Sequence, residues 1–176
     1  MQELADLGRR IMICGPSNAG KSTLAVALSR KLGIPAIHLD VLWHEPNTNW
    51  VPRPRELFAQ LHADAISGDA WIIDGNYFGF VQPRLERASG IVLVGSDRWS
   101  AFLRYLRRTL FEPWRPGNLE GAKDSLKWDM VRYILVEQPR KRQRDIGILA
   151  AAGLPMVTVD SIQALNSLYT AWALPR

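Results

Sequence analysis

The stretch Gly15-Pro16-Ser17-Asn18-Ala19-Gly20-Lys21-Ser22 fits the spacing GxxxxGK followed by Ser or Thr at every required position. The chemistry explains the pattern. Its glycines let the backbone wrap a phosphate with N–H groups turned inward, and a helix starting near Lys21 adds the partial positive charge of its N-terminus. Lys21 can reach β- and γ-phosphates, and the Ser22 hydroxyl can take a position on Mg²⁺. The expected phosphate-binding residues are therefore Gly15, Ser17, Asn18, Ala19, Gly20, Lys21, Ser22 and Thr23, with ATP and Mg²⁺ as the expected ligands. The competing reading, an incidental glycine-rich turn, is opposed by the strand and helix expected on either side.

Two aspartates and a group of arginines add candidates. Asp74 closes the apolar run Trp71-Ile72-Ile73, the form of a carboxylate that orients Mg²⁺ through bound water; a turn aspartate before Gly75 is the alternative. Asp40 ends a short apolar run and can take a proton from a hydroxyl attacking the γ-phosphate, or cap the next turn. His38 reads as a structural histidine and His44 as a solvated loop residue. No Cys/His cluster supports a zinc site. Arg98, Arg104, Arg107 and Arg108 can neutralise charge that builds up in phosphoryl transfer, although a solvated helix face suits any single one of them. The catalytic candidates are Lys21, Asp40, Asp74, Arg104 and Arg108, and the metal candidates are Ser22 and Asp74.

Such groups work only if a rigid scaffold brings them together. Apolar runs at Arg10–Cys14, Ala36–Leu39, Trp71–Ile73, Ile91–Val94 and Met156–Val159 read as five buried strands. Helical spacing recurs between them: Ser22–Leu32, a helix opened by Pro54, a short one near Pro83–Ala88, a stripe from Trp99 to Leu110, and a helix capped by Asp124 or Ser125. Pro139 is expected to break the chain, a further helix precedes Gly153, and Ser161 is placed to cap the last one. Trp43–Pro54 and Phe111–Gly121 read as loops. Strands alternating with helices imply an α/β fold with a parallel sheet covered on both faces. Ligands of such sheets bind at the carboxyl ends of the strands, where Gly15, Asp40, Asp74, Gly95 and Asp160 fall.

Composition agrees. With 176 residues, 47% of them hydrophobic and 22% charged, the chain suits one globular domain and excludes disorder. No apolar run approaches the ~18 residues of a membrane span, the N-terminus lacks a signal-like apolar stretch, and a single cysteine excludes an internal disulfide. These features lead us to expect a cytoplasmic, non-membrane protein. The net charge of +5 is uneven: Arg98–Arg144 holds twelve basic and five acidic residues, so the anion-attracting part is local. Of seven tryptophans, Trp43, Trp50 and Trp71 are expected to border an acceptor, and Trp99, Trp114, Trp128 and Trp172 to serve packing.

The strings GPSNAGKSTLA, LGIPAIHLDVLWH and WIIDGNY, spread over Ile11–Leu93, resemble the adenylate-kinase-related P-loop proteins known as DNA topology modulation proteins. The wider group includes nucleoside monophosphate, shikimate and gluconate kinases. The resemblance implies a P-loop fold with strand order 2-3-1-4-5 over a single domain, 1–176. It further implies an acceptor-binding segment at about 41–67 and a lid-like segment at about 98–144. It also implies phosphoryl transfer from MgATP to a small-molecule acceptor. The adenylate kinase string Asp-Gly-Phe-Pro-Arg is replaced here by Asp74-Gly75-Asn76-Tyr77, with Arg84 as a substitute arginine, and Lys21-Ser22-Thr23 departs from the adenylate kinase ending. Both differences argue against a true adenylate kinase. Asn76 and Tyr77 are candidates for the acceptor side, as are Trp43, His44, Asn47, Asn49 and Trp50, whose alternative role is packing. An ATP-dependent regulator that touches nucleic acid through the basic segment is the other function the resemblance allows.

Overall fold

The computed structural model describes residues 3–111 and 128–176. Five strands, β1 (Arg10–Cys14), β2 (Ala36–His38), β3 (Trp71–Asp74), β4 (Gly90–Val94) and β5 (Met156–Val159), form one parallel sheet in the order β2-β3-β1-β4-β5. This is the expected α/β architecture and the expected strand order. The helices are α1 (Lys21–Leu32), α2 (Leu39–Trp43), α3 (Arg55–Ser67), α4 (Val81–Arg87), α5 (Arg98–Phe111), α6 (Trp128–Arg132), α7 (Gln138–Ala151) and α8 (Ile162–Ala171).

Alternation along the strands explains why both faces are covered. Ile11, Ile13, Ile72, Val92, Val94, Val157 and Val159 share one core with residues of α1 and α8. Their neighbours Met12, Cys14, Trp71, Ile73, Ile91 and Leu93 share the other with residues of α3, α4 and α7. The three central strands β3, β1 and β4 thus bury both sets of side chains, which requires helices on both faces. A third, smaller cluster joins Ala101 and Tyr105 of α5 to Ile134.

Several expectations give way to local geometry. β2 stops at His38, and Asp40 sits in the first turn of α2 rather than at a strand end. Pro139 does not break the chain: it occupies the first turn of α7, and a π-helical turn at Tyr133–Glu137 leads into it without interrupting the helical backbone. Trp71 is buried at the amino end of β3, away from the carboxyl edge. Trp99 and Trp128 do not serve packing, being 58% and 79% exposed, whereas Trp172 is buried as expected. Of the loop expected at Phe111–Gly121, Phe111 instead ends α5, and residues 112–121, the caps Asp124 and Ser125, and Trp114 lie outside the described residues. Ser161 does cap α8, accepting from the Ala164 N–H at 3.1 Å.

Candidate functional site

The site is built around the turn from β1 into α1. Gly15 has φ 142° and Gly20 has φ 92°, values that L side chains rarely adopt. A Cβ on Gly15 would lie 2.0 Å from the Val94 carbonyl oxygen, so the turn is pressed against β4. On the β3 side Asn76 fastens it: the Gly15 N–H donates to Asn76 Oδ1 at 2.9 Å, and Asn76 Nδ2 donates back to the Gly15 carbonyl at 2.9 Å. Both ends of that carboxamide are engaged, which makes Asn76 a clamp on the loop rather than a free acceptor-side group. Lys21 opens α1 and donates from Nζ to the Pro16 carbonyl at 2.8 Å, folding its ammonium over the loop.

Strand pairing sets the next groups. β2 and β3 place His38 in register with Asp74, so the two side chains share a face of the sheet. His38 Nδ1 donates to Asp74 Oδ1 at 2.7 Å, and Ser22 Oγ donates to Asp74 Oδ2 at 2.6 Å. Asp74 is buried, with both oxygens held in fixed directions. One hydroxyl and one carboxylate of this kind match the donors of a Mg²⁺ that keeps several waters and completes its shell with phosphate oxygens. The turn after β3 then brings Tyr77, in the left-handed region at φ 38°, to donate its hydroxyl to Asp40 Oδ1 at 2.6 Å. Burial and the Asp40 carboxylate push the Tyr77 phenol well above its usual range, so it stays a donor.

Cations face these carboxylates. Arg104 of α5 donates from Nε to the Asn18 carbonyl at 2.5 Å and from Nη2 to Ser96 Oγ. Burial lowers its pKa from an ordinary guanidinium, with Asp97 acting in the opposite direction. Arg107, Lys141 and Arg144 line the same cavity, about 1050 Å³, which also takes in the loop from Ser17 to Thr23, Asp40 and Asp74. Lys141 lies over the Tyr133 ring, 5.7 Å from its centroid, at the π-helical turn. The Arg108 side chain lies outside the described residues.

Comparison with known proteins bears on the fold. No protein-family model matches the chain, and no curated protein matches its sequence. Among solved structures, a gluconokinase from Sinorhizobium meliloti 1021 superposes with a TM-score of 0.56 over 95% of this chain and 91% of that one, at 16% identity. The chain has a P-loop kinase fold.

The structure gathers Gly15, Ser17, Asn18, Ala19, Gly20, Lys21, Ser22, Thr23, Asp40, Asp74 and Arg104 around the turn from β1 into α1. It does not bring Arg84 there. That residue is 0% exposed and spends its guanidinium on the carbonyls of Gly75, at 2.9 Å, and Asn76. Trp43 packs edge-on against Phe58, 4.8 Å between centroids, and tilted on Tyr77 and Phe80, though it also lines the cavity. His44 is not a solvated loop residue: it donates from Nδ1 to the Asp40 carbonyl at 2.8 Å and meets Trp50 edge-on. Sequence reasoning missed the part His38 plays toward Asp74, and it missed Tyr133, Lys141 and Arg144. The excess of positive charge across Arg98–Arg144 was the only sign of the last two.

Proposed function

We propose that the protein is a small-molecule kinase that transfers the γ-phosphoryl group of MgATP to a hydroxyl of its acceptor. The observation that carries this reading is the Ser22–Asp74 pair, 2.6 Å apart inside a glycine-bounded phosphate turn and facing Lys21 across one cavity. A merely structural turn has no use for a buried carboxylate at that point.

When bound, MgATP supplies the phosphoryl group: the acceptor oxygen bonds to the γ-phosphorus as the bond to the β-bridging oxygen breaks and ADP leaves. The chain's residues prepare for that exchange. Backbone N–H groups of the turn, with Lys21, hold the phosphates, while Ser22 and Asp74 hold the Mg²⁺ and His38 keeps Asp74 in place. Asp40, oriented by Tyr77, takes the proton of the acceptor hydroxyl. Arg104, with Arg107, Lys141 and Arg144, offsets the charge that spreads over the transferring group. Arg108 belongs with this set as part of the proposal. In these roles residues 41–67 form the acceptor side and residues 98–144 the cationic cover of a single domain. Membership of the DNA topology modulation group, suggested by the strings around Asp40 and Asp74, is part of the proposal, as is a substrate other than adenosine monophosphate.

The test is ADP release from MgATP across a metabolite library, with two variants. Asp40→Asn should retain nucleotide affinity within about twofold and lose transfer by ~100-fold or more. Lys21→Ala should lose nucleotide binding. If no compound raises ADP release above the background, or if Asp40→Asn transfers at the native rate, the reading is wrong.

A further inference from the structure

A second cavity, about 310 Å³, lies beside the phosphate turn, within the range of small-molecule sites. Asn76, Phe78 and Asp145 line both cavities, so the two adjoin, and Gly15 and Pro16 of the turn face the smaller one. Most of its wall is hydrocarbon: Leu93 and Val94 from β4, Ala101 from α5, Ile134 from the π-helical turn, and Ile146 and Leu149 from α7. The charged residues that line it, Arg98 and Arg142 against Asp97 and Asp145, balance in sign. The space therefore selects for no net charge.

One polar group in this wall is out of place. Gln138, the first residue of α7, lines the cavity, and both atoms of its carboxamide are shut off from solvent with no hydrogen-bond partner among the described residues. Buried amide groups left unpaired are costly. Rotation of the terminal torsion, which is broad for glutamine, can turn the amide toward the cavity, where a ligand with a matching edge would relieve the cost. A carboxamide donates and accepts side by side, so its complement does the same. A polyol fits poorly, because hydroxyls laid against Leu93, Ile146 and Leu149 would lose their partners. A plain hydrocarbon would leave Gln138 unrelieved.

We infer that this cavity holds the apolar end of the phosphoryl acceptor, a neutral, mainly apolar alcohol carrying one carboxamide or lactam edge that pairs with Gln138, while its hydroxyl end lies in the adjoining cavity with Asp40. The acceptor role rests on the phosphotransfer reading; the ligand chemistry of the cavity stands independently of it.

Benzamide, ethylbenzene and gluconate are the probes, each titrated by NMR into the full chain, with MgATP titrated separately by calorimetry. Benzamide should bind at least about tenfold tighter than ethylbenzene, the equivalent of ~1.4 kcal/mol, and gluconate should not bind. Gln138→Leu should weaken benzamide by about tenfold while leaving ethylbenzene within about twofold. Ile146→Trp, which fills the space, should remove both; Ile146→Phe replaces it if thermal melting shows the tryptophan variant unfolded. Benzamide that does not bind the native chain, or binds Gln138→Leu as well as native, overturns the inference, as does gluconate binding that Ile146→Trp removes. Failure of the native chain to bind MgATP overturns the acceptor role along with the kinase reading, and the benzamide result then decides the ligand chemistry alone.

Discussion

Asn76→Ala removes the clamp between β3 and the turn from β1 into α1. The side chain makes two 2.9 Å hydrogen bonds to one peptide unit, Gly15, which is itself buried. Such bonds contribute ~0.5–1.5 kcal/mol each, and buried groups left unpaired cost ~1–3 kcal/mol each. Water from the adjoining phosphate cavity can reach part of the vacated space, which lowers the second figure. The expected loss of stability is about 2–3 kcal/mol, or roughly 5–10 °C in melting temperature for a chain of this size. Part of that loss should reappear in ligand binding, since nucleotide must then order the turn itself; about tenfold weaker MgATP binding follows if half is carried over. Asn76→Asp separates geometry from charge. It still accepts from the Gly15 N–H but sets a carboxylate against the Gly15 carbonyl and into the phosphate cavity, so it should bind MgATP more weakly than Asn76→Ala. Urea unfolding and calorimetric titration decide the matter. A stability change below about 0.5 kcal/mol in Asn76→Ala with unaltered MgATP affinity would refute the clamp.

Three further outcomes are expected. Gly15→Ala should lose MgATP binding and melt ~5 °C lower or more, because its Cβ meets the Val94 carbonyl oxygen at 2.0 Å; native-like titration would contradict the close approach. Arg84→Met should cost about 2–4 kcal/mol in urea unfolding, as the Gly75 and Asn76 carbonyls lose their buried donors. His62, buried against Phe58, has its pKa pushed down to about 4 by desolvation and by the nearby Arg84. Between pH 6.5 and 4 the unfolded chain therefore binds a proton that the native chain refuses, so stability falls as pH falls through that window, by up to about 3 kcal/mol. His62→Phe should remove that component of the slope, and equal slopes in urea unfolding at pH 7 and 4.5 would count against it.

The parallel sheet was legible because burial on both faces leaves strands short, apolar and bounded by glycine or aspartate, and the five strands sit close to where their apolar runs lie. The turn from β1 into α1 was legible because its backbone geometry admits few residues at Gly15 and Gly20. Pairings across strands were harder to see. His38 pairs with Asp74 only because β2 and β3 end in register, a relation that neither string carries alone. Asp40 looked like a strand terminus because Leu39–Trp43 is too short to show helical periodicity. Arg84 had the residue type of a phosphate ligand, but its sequence held no sign that two backbone carbonyls would take its guanidinium. Lys141 and Arg144 lie far along the chain from the turn, so packing of α7 rather than local pattern brings them to it.

Arg104 has a consequence of its own. It spans from α5 to the Asn18 carbonyl and Ser96, so a cation already occupies the margin of the turn from β1 into α1, held by neutral acceptors. An incoming anion need not pull that guanidinium away from a carboxylate, nor wait for a distant side chain to swing into place. The electrostatic reorganisation left for the moment of binding is correspondingly small. The Asn18 bond also fastens α5, the helix that carries the exposed Trp99, directly to the turn.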